Sequence, residues 1–147
     1  MADTIIETVA EAIHRTLMAT GRFATGYAYA TAKTGARPTF NVWWAGFRDS
    51  GPEGRSAHQP TTTTFQYIVE VRDNLTADAE GAQRRLMGLV TACRDALMRD
   101  NRLGPTRGVL RSRLISGSVD IDTETDQAML VAQLIIEVDY AGAWVAP

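Results

Sequence analysis

The last long apolar run, residues 128–140, constrains the fold more than any other stretch of this sequence. Two-residue alternation, which is typical of a β-strand, gives it one apolar row and one mixed row that includes Glu137 and Asp139. The apolar row consists of Leu130, Ala132, Leu134, Ile136, Val138 and Tyr140. We therefore predict a central strand with one face under helices. The mixed face must be partly solvated or meet a partner, because carboxylates are not expected to be buried alone.

The other elements also follow from periodicity. Residues 4–20 show helical spacing behind the capping box Thr4-x-x-Glu7, and a second helix is predicted to begin near Thr76 and to end before Asn101. Strands are predicted over residues 40–47, 61–72 and 109–119, with a weaker one possible within 22–35 and an acidic turn at 120–126. This order predicts a single α+β domain over residues 1–147, with a mainly antiparallel sheet of four or five strands and two helices packed on one face.

Two segments are predicted to lie outside this core. Residues 48–60 contain glycine, proline and serine without apolar periodicity, which indicates a mobile hairpin loop. Its candidate partner-contact residues are Arg48, Asp49, Glu53, Arg55 and His58. The C-terminal tail, residues 141–147, carries Trp144, for which the sequence suggests no core role. Alternation also places Trp43 and Phe47 opposite the core side of their strand. Such aromatic residues indicate a protein contact or, alternatively, a second small cluster under the long loop.

Composition excludes several classes of function. A chain of 147 residues with 45% apolar residues suits one core, and a net charge of −2 gives no overall attraction to nucleic acid or an anionic membrane. No apolar run approaches the length of a membrane span, and no signal peptide is recognisable. Because the single cysteine, Cys93, cannot form an internal disulfide, we expect a soluble protein of a reducing cytoplasm.

The sequence offers little for catalysis or metal binding. His14, His58 and Cys93 match no ligand spacing, and the acidic turn lacks the glycine and terminal acid of a calcium loop. Cys93 lies on the buried stripe of the second helix, where a cysteine behaves as a small hydrophobe. We therefore expect no cofactor, no metal and no enzymatic activity, although carboxylate chemistry stays open.

Charge is segregated along the chain. Eight arginines lie between residues 84 and 113, whereas six acids and no base lie between 120 and 139. One hypothesis is a head-to-tail interface in which the basic patch of one copy meets the acidic patch of the next. Its candidate residues are Arg84, Arg85, Arg94, Arg107, Arg111, Arg113, Asp120, Asp122, Glu124 and Asp126. The alternatives are ion pairs inside one molecule and a nucleic-acid surface, which the lack of aromatic residues in the basic stretch disfavours.

The chain resembles the tail terminator (tail-completion) proteins of long-tailed bacteriophages and related neck proteins of the head-to-tail connector. The features that carry the resemblance span nearly the whole chain. They are the helix Thr4–Thr20, the entry Arg37-Pro38 into Phe40-Asn-Val-Trp43, the strand Phe65–Val71, the helix ending in Asp100-Asn-Arg-Leu103-Gly104, the strand through Ser116, and the closing strand Leu134–Tyr140.

The resemblance implies a structural virion protein of the tail or neck, assembled in the host cytoplasm. It implies a homo-oligomer, expected to be a hexameric ring, that ends polymerisation of the tail tube and docks the tail to the head. The expected partners are the tail tube protein and a head-completion or connector protein, with DNA passing through and no membrane involved. Glu137 and Asp139 are candidates for an acidic lumen along which DNA would slide.

Two other functions stay open on the sequence alone. Within the same class, the chain could be a head-completion or stopper protein, which would bind the connector rather than the tube. From a different class, it could be a small α+β ligand-binding domain or enzyme with a pocket under the long loop.

Overall fold

The computed structural model describes residues 4–29, 36–50, 62–104, 106–123 and 128–144. Helix α1 spans Ile5–Met18 and helix α2 spans Ala79–Arg99. The strands are β1 (Thr25–Tyr27), β2 (Thr39–Ser50), β3 (Thr62–Asn74), β4 (Val109–Asp122) and β5 (Met129–Ala141). The α+β fold with two helices is confirmed, and the weak strand within 22–35 exists as the short β1.

Helix α1 begins where the capping box predicted. The hydroxyl of Thr4 accepts a hydrogen bond from the backbone N–H of Glu7 at 3.2 Å and donates one to the Glu7 carboxylate at 3.1 Å. The first of these bonds satisfies a backbone N–H that the first helical turn would otherwise leave unpaired, and the second holds the two side chains together. The apolar stripe of the helix then turns inward, with Val9, Ile13 and Leu17 fully buried.

Helix α2 begins two residues later than the sequence suggested. Its N-cap is Asp78, whose carboxylate accepts a hydrogen bond from the N–H of Gly81 at 3.0 Å, whereas the hydroxyl of Thr76 donates to the backbone carbonyl of Asp78. Both residue types make good caps, so sequence preference alone could not separate them. The predicted buried stripe is confirmed at Ala82, Leu86, Leu89, Cys93 and Leu97.

The five strands form one sheet in the order β1-β2-β3-β5-β4. Every neighbouring pair is antiparallel except β1 and β2, which are parallel, so the sheet is mixed. The long β5 lies inside the sheet, between β3 and β4, as its pattern predicted. Strand β4 lies at one border and runs through Asp122, so Asp120 and Asp122 are strand residues rather than part of a turn.

The two faces of the sheet differ in what covers them. One face, here called the helix face, packs against both helices in a single hydrophobic core. It contains the whole apolar row of β5, and register places Phe65, Tyr67 and Val69 of β3 beside it. The hydroxyl of Tyr67 also donates to the backbone carbonyl of Ile6 in α1 at 2.7 Å, which ties the sheet to that helix. The opposite side is called the open face.

A β-bulge in β2 changes the side on which one aromatic residue lies. The register shifts between Trp44 and Gly46, so Phe47 pairs with Phe65 and lies on the helix face. The prediction that Phe47 lies opposite the core side was therefore wrong, because an extra residue inverts the alternation beyond it. Gly46 has φ +134°, a conformation that favours glycine.

The C-terminal segment is tied to the domain at Trp144. The ring of Trp144 packs edge-on against Phe47 and Phe65, and its backbone carbonyl accepts a hydrogen bond from the N–H of Ile5 at 2.7 Å. Trp144 thus has a core role that the sequence did not suggest. Residues 145–147 of the predicted tail, and residues 51–60 of the predicted loop, lie outside the described residues.

Candidate interaction surfaces

A cluster of three arginines and two carboxylates lies on the open face. Its centre is Glu137 of β5, whose side chain is buried although no helix covers it. Arg48 of β2 donates two hydrogen bonds to the Glu137 carboxylate, at 2.5 and 3.2 Å. Arg113 of β4 donates a third to the same carboxylate at 3.1 Å. Arginines from two different strands therefore enclose this carboxylate.

The second carboxylate, Asp139, extends the cluster along β5. It accepts hydrogen bonds from Arg113 at 2.9 Å and from the hydroxyl of Thr64 at 2.8 Å. A nitrogen of Arg111 lies 3.6 Å from the Asp139 carboxylate. Arg113 thus bridges the two acids, which joins β2, β3, β4 and β5 in one network of charged hydrogen bonds. We call these five charged residues, Arg48, Arg111, Arg113, Glu137 and Asp139, the arginine–carboxylate cluster.

The cluster shifts the pKa values of its members. Hydrogen bonds from Arg48, with a smaller contribution from Arg113, lower the pKa of Glu137 below its usual range despite the opposing effect of burial. The pKa values of Arg48 and Arg113 are raised, in each case chiefly by the hydrogen bond to Glu137. All three groups are therefore charged at neutral pH, and the five residues carry a formal excess of one positive charge.

These contacts alter two predictions made from the sequence. Arg48 and Asp49 lie within β2 rather than in the hairpin loop, because the strand continues through Ser50. Glu137 and Asp139 were predicted to offer negative charge to a lumen, but Glu137 is buried and both acids are paired with arginines. What the cluster exposes to solvent is guanidinium, chiefly from Arg48 and Arg111. The loop residues Glu53, Arg55 and His58 lie outside the described residues.

Four of the predicted ring-interface arginines form ion pairs inside the molecule. Arg84 pairs with Glu80 at 2.6 Å and Arg85 pairs with Asp73 at 3.4 Å. The other two are Arg111 and Arg113, which pair with the carboxylates of the arginine–carboxylate cluster. The alternative of intramolecular pairing is thus confirmed for these four. Their part in an interface between copies stays a prediction.

The remaining interface candidates differ in whether they form ion pairs and in where they lie. Within the described residues, no ion pair is formed by Arg94, Arg107 or Asp120, whereas Asp122 lies 3.5 Å from Arg72. Glu124 and Asp126 lie outside the described residues. Asp120 and Asp122 line a shallow groove of about 400 Å³ at the end of the open face farthest from the arginine–carboxylate cluster. The open face is therefore acidic at one end and basic at the other.

Both long borders of the sheet expose apolar side chains. On β4 these are Ile115, Val119 and Ile121, of which Val119 is 61% exposed. On β2 they are Trp43, Trp44 and Phe47, of which Phe47 is 51% exposed. Exposed apolar side chains gathered along a sheet border are typical of protein contacts. The prediction of exposed aromatic residues holds for Trp43 and Phe47, with Phe47 on the other side from the one expected.

The geometry offers little support for nucleophilic or metal chemistry. Burial raises the pKa of Cys93 to about 12, so its thiol is neutral and enclosed. Within the described residues, no three His, Cys, Asp or Glu side chains come together as possible metal ligands. His14 instead places Nε2 3.0 Å from the carbonyl of Gly26. Neither described helix is long and apolar enough to cross a membrane.

Sequence reasoning missed the bond between Arg48 and Glu137, which are 89 residues apart. Part of the signal was available, because antiparallel pairing of the predicted strands on either side of residues 120–126 brings residue 113 close to residue 137. The contribution of Arg48 was hidden by its assignment to the loop. The contact between Arg48 and Glu137 depends on the order of β2, β3 and β5 in the sheet. The alternation of apolar and polar residues within a strand does not determine that order.

Comparison with known proteins identifies a fold but no family. The chain is similar in structure to a chain from a solved structure described as the virion of a native gene transfer agent particle, with a TM-score of 0.50. The similarity covers 90% of this chain and 94% of that chain at 12% sequence identity, so it concerns the fold alone. No protein family matches the sequence. No curated protein matches it either.

Proposed function

We propose that this protein is a structural component of a phage-like virion, with a non-enzymatic role at the head-proximal end of the tail. In this role it forms a ring, expected to be hexameric, that ends tail-tube polymerisation and provides the surface on which the head docks. The observation that carries the proposal is the similarity in fold to a chain of a virion particle over nearly the full length of both chains. It agrees with the sequence resemblance to tail terminators.

The surfaces of the domain support an assembly role over a catalytic one. Both borders of the sheet expose apolar residues, and the open face has a basic end and an acidic end. Complementary patches at separate positions on one subunit suit a head-to-tail contact, which closes into a ring when the rotation between copies closes. Nucleophilic catalysis by a cysteine would instead require a reactive thiol beside a base, and Cys93 is buried and neutral.

The arginine–carboxylate cluster changes the expected electrostatics of a lumen. If the open face lined a DNA channel, the cluster would present guanidinium groups to phosphate rather than free carboxylates. Carboxylates also lie at the opposite end of the open face, at the exposed Asp120 and at Asp122, which lies 3.5 Å from Arg72. In this proposal the negative charge that keeps DNA from adhering therefore comes from the end of β4 and not from Glu137.

The proposal is tested by electron microscopy of the purified protein, alone and mixed with tail tubes, together with light-scattering mass at low and high salt. We expect closed rings, and rings at one end of each tube that stop its growth. Binding to the head connector without binding to tubes would replace the terminator role by that of a stopper protein. Failure to bind either partner, or a bound metabolite in native mass spectrometry, would count against a structural virion role.

A further inference from the structure

We propose that a groove beside the start of α2 binds an acidic peptide segment of a partner protein. The groove has a volume of about 600 Å³ and lies on the side of the sheet that carries the helices. Four arginines line it, namely Arg22, Arg37, Arg84 and Arg85, and we call it the basic groove. This inference does not depend on the ring of the proposed function, because the basic groove lies within one subunit.

Three separate parts of the chain build the basic groove. The first comprises residue 22 and residues 37–38, the second is the end of β3 with the residues that follow it, and the third is α2 between residues 84 and 89. The first part is held together by a hydrogen bond at 2.9 Å, which the backbone N–H of Ala24 donates to the carbonyl of Pro38. Arginines that are far apart in sequence therefore line one cavity.

Two of the four guanidinium groups are held by a single residue, Asn74. Arg37 donates to its side-chain oxygen at 2.6 Å, and Arg85 donates to its backbone carbonyl at 3.4 Å. Arg85 also lies 3.4 Å from the buried carboxylate of Asp73, which accepts a hydrogen bond from the N–H of Asn74 at 2.8 Å. Arg37 and Arg85 are thus positioned before a ligand binds, which lowers the entropic cost of binding one.

The positive charge of the basic groove exceeds the negative charge around it. Among the described residues, Arg22 and Arg37 form no ion pair, and the side-chain partner of Arg37 is a neutral amide. The acids that contact the other two arginines are Asp73 and Glu80. Four arginines against two acids leave a formal excess of two positive charges. The ligand that complements the basic groove is therefore an anion.

The shape of the basic groove favours a peptide over DNA or a free phosphate. Duplex DNA presents its phosphates on a convex surface and does not enter a concave groove of this size. Arg37 and Arg84 are held by different neighbours, Asn74 and Glu80, so the guanidinium groups do not meet at one point as a single phosphate would require. An extended segment with several carboxylates matches separated guanidinium groups, and its apolar side chains gain contact with Pro38.

Gly88 leaves room for such a segment and gives a way to fill it. This glycine lines the basic groove, and a Cβ placed on it would meet no atom within 4 Å. Since Gly88 lies inside α2, a larger residue also suits the helix better than glycine does. Gly88→Tyr should therefore occupy the groove while leaving the melting temperature of the subunit no lower. Met87→Tyr, on the exposed surface of the same helix, is the matched control.

The test is an NMR titration of the backbone amides, with a short peptide of alternating glutamate and leucine as the probe. We expect saturable shifts of the groove amides that weaken as salt is added, and no such shifts when glutamine replaces glutamate in the peptide. Arg22→Glu and Gly88→Tyr should each weaken binding about tenfold or more. Arg94→Glu changes an exposed arginine of α2 outside the basic groove and, like Met87→Tyr, should leave the affinity unchanged.

The other occupants are distinguished in the same experiment. Absence of groove shifts with the peptide, or equal weakening by the control variants, would overturn the inference. Tighter binding of a DNA oligonucleotide or of inorganic phosphate in the basic groove would also overturn it, as would loss of self-association with Arg22→Glu, which would assign the groove to a second copy. Specific peptide binding by subunits that form no rings would support the inference and count against the proposed ring.

Discussion

Strand β5 buries side chains on both faces, but by different means. On the helix face its apolar row packs against β3 and the two helices, and Leu134, Ile136 and Val138 are almost fully enclosed. On the open face no helix covers it, and Glu137 is enclosed by Arg48 and Arg113. One strand thus combines hydrophobic burial with burial by charged hydrogen bonds.

The difference between the faces shows what burial of apolar side chains and burial of a carboxylate each require. Apolar burial is non-directional and scales with area, so any well-packed helix can provide it. Burial of a carboxylate is unfavourable unless opposite charge and donors stand at hydrogen-bond distance. The helix face therefore depends on the apolar area that it buries, whereas the arginine–carboxylate cluster needs the four adjacent strands β2, β3, β5 and β4 in correct register.

The largest expected effect lies on the helix face. Ile136→Ala removes a fully buried side chain and leaves a cavity, so we expect the free energy of unfolding to fall by about 2–5 kcal/mol, as measured by urea denaturation. Ile115→Ala, at an exposed position of β4, is the matched control and should change stability by less than about 0.5 kcal/mol. Equal effects at the two positions would contradict the burial of Ile136 in the core.

A smaller effect is expected at the centre of the open face. Glu137→Gln keeps the shape of the side chain but removes the charge that Arg48 and Arg113 bind. We expect a loss of about 1–2 kcal/mol in urea denaturation, because charged hydrogen bonds contribute more than neutral ones while the arginines stay partly solvated. A variant as stable as the parent would show that this carboxylate contributes no net stability.

The pH dependence of stability distinguishes the two faces further. Since the folded-state pKa of Glu137 is lowered, its contribution is complete above the unfolded-state pKa of about 4.3 and is lost as pH falls through the folded-state value. The stability difference between the parent and Glu137→Gln should therefore be constant between about pH 5 and 7 and shrink below about pH 4. Denaturation series at these pH values measure it. The loss caused by Ile136→Ala should not follow this pattern.

The smallest expected effect concerns the ion pair between Glu80 and Arg84 on α2. Both side chains are about three-quarters exposed, so water and salt screen their attraction. Glu80→Gln should lower the melting temperature only slightly, with a stability change below about 0.5 kcal/mol that disappears at high salt. A loss as large as that of Glu137→Gln would show that burial does not set the strength of these pairs.

The elements of the fold were largely predictable, because each depends on neighbours close in sequence. The cap of α1 uses residues three positions apart, and the rows of β5 follow from alternation. Errors arose where one local rule had two solutions, as with Thr76 and Asp78 at the start of α2, or where one residue shifted the register, as at the bulge before Phe47. The surfaces proposed for assembly were less predictable, since four of the six candidate interface arginines pair with acids within the chain.

What the sequence by itself determined is therefore the identity of the elements and the apolar row on which the helices pack, because periodicity is written in adjacent residues. What only the tertiary structure decided is which strands are neighbours, which borders stay open, and that Arg48 reaches Glu137 across 89 residues. The physical reason is the distance along the sequence over which each feature is set. Helical and strand patterns repeat within a few residues, whereas an ion pair and a free sheet border depend on how distant strands are ordered.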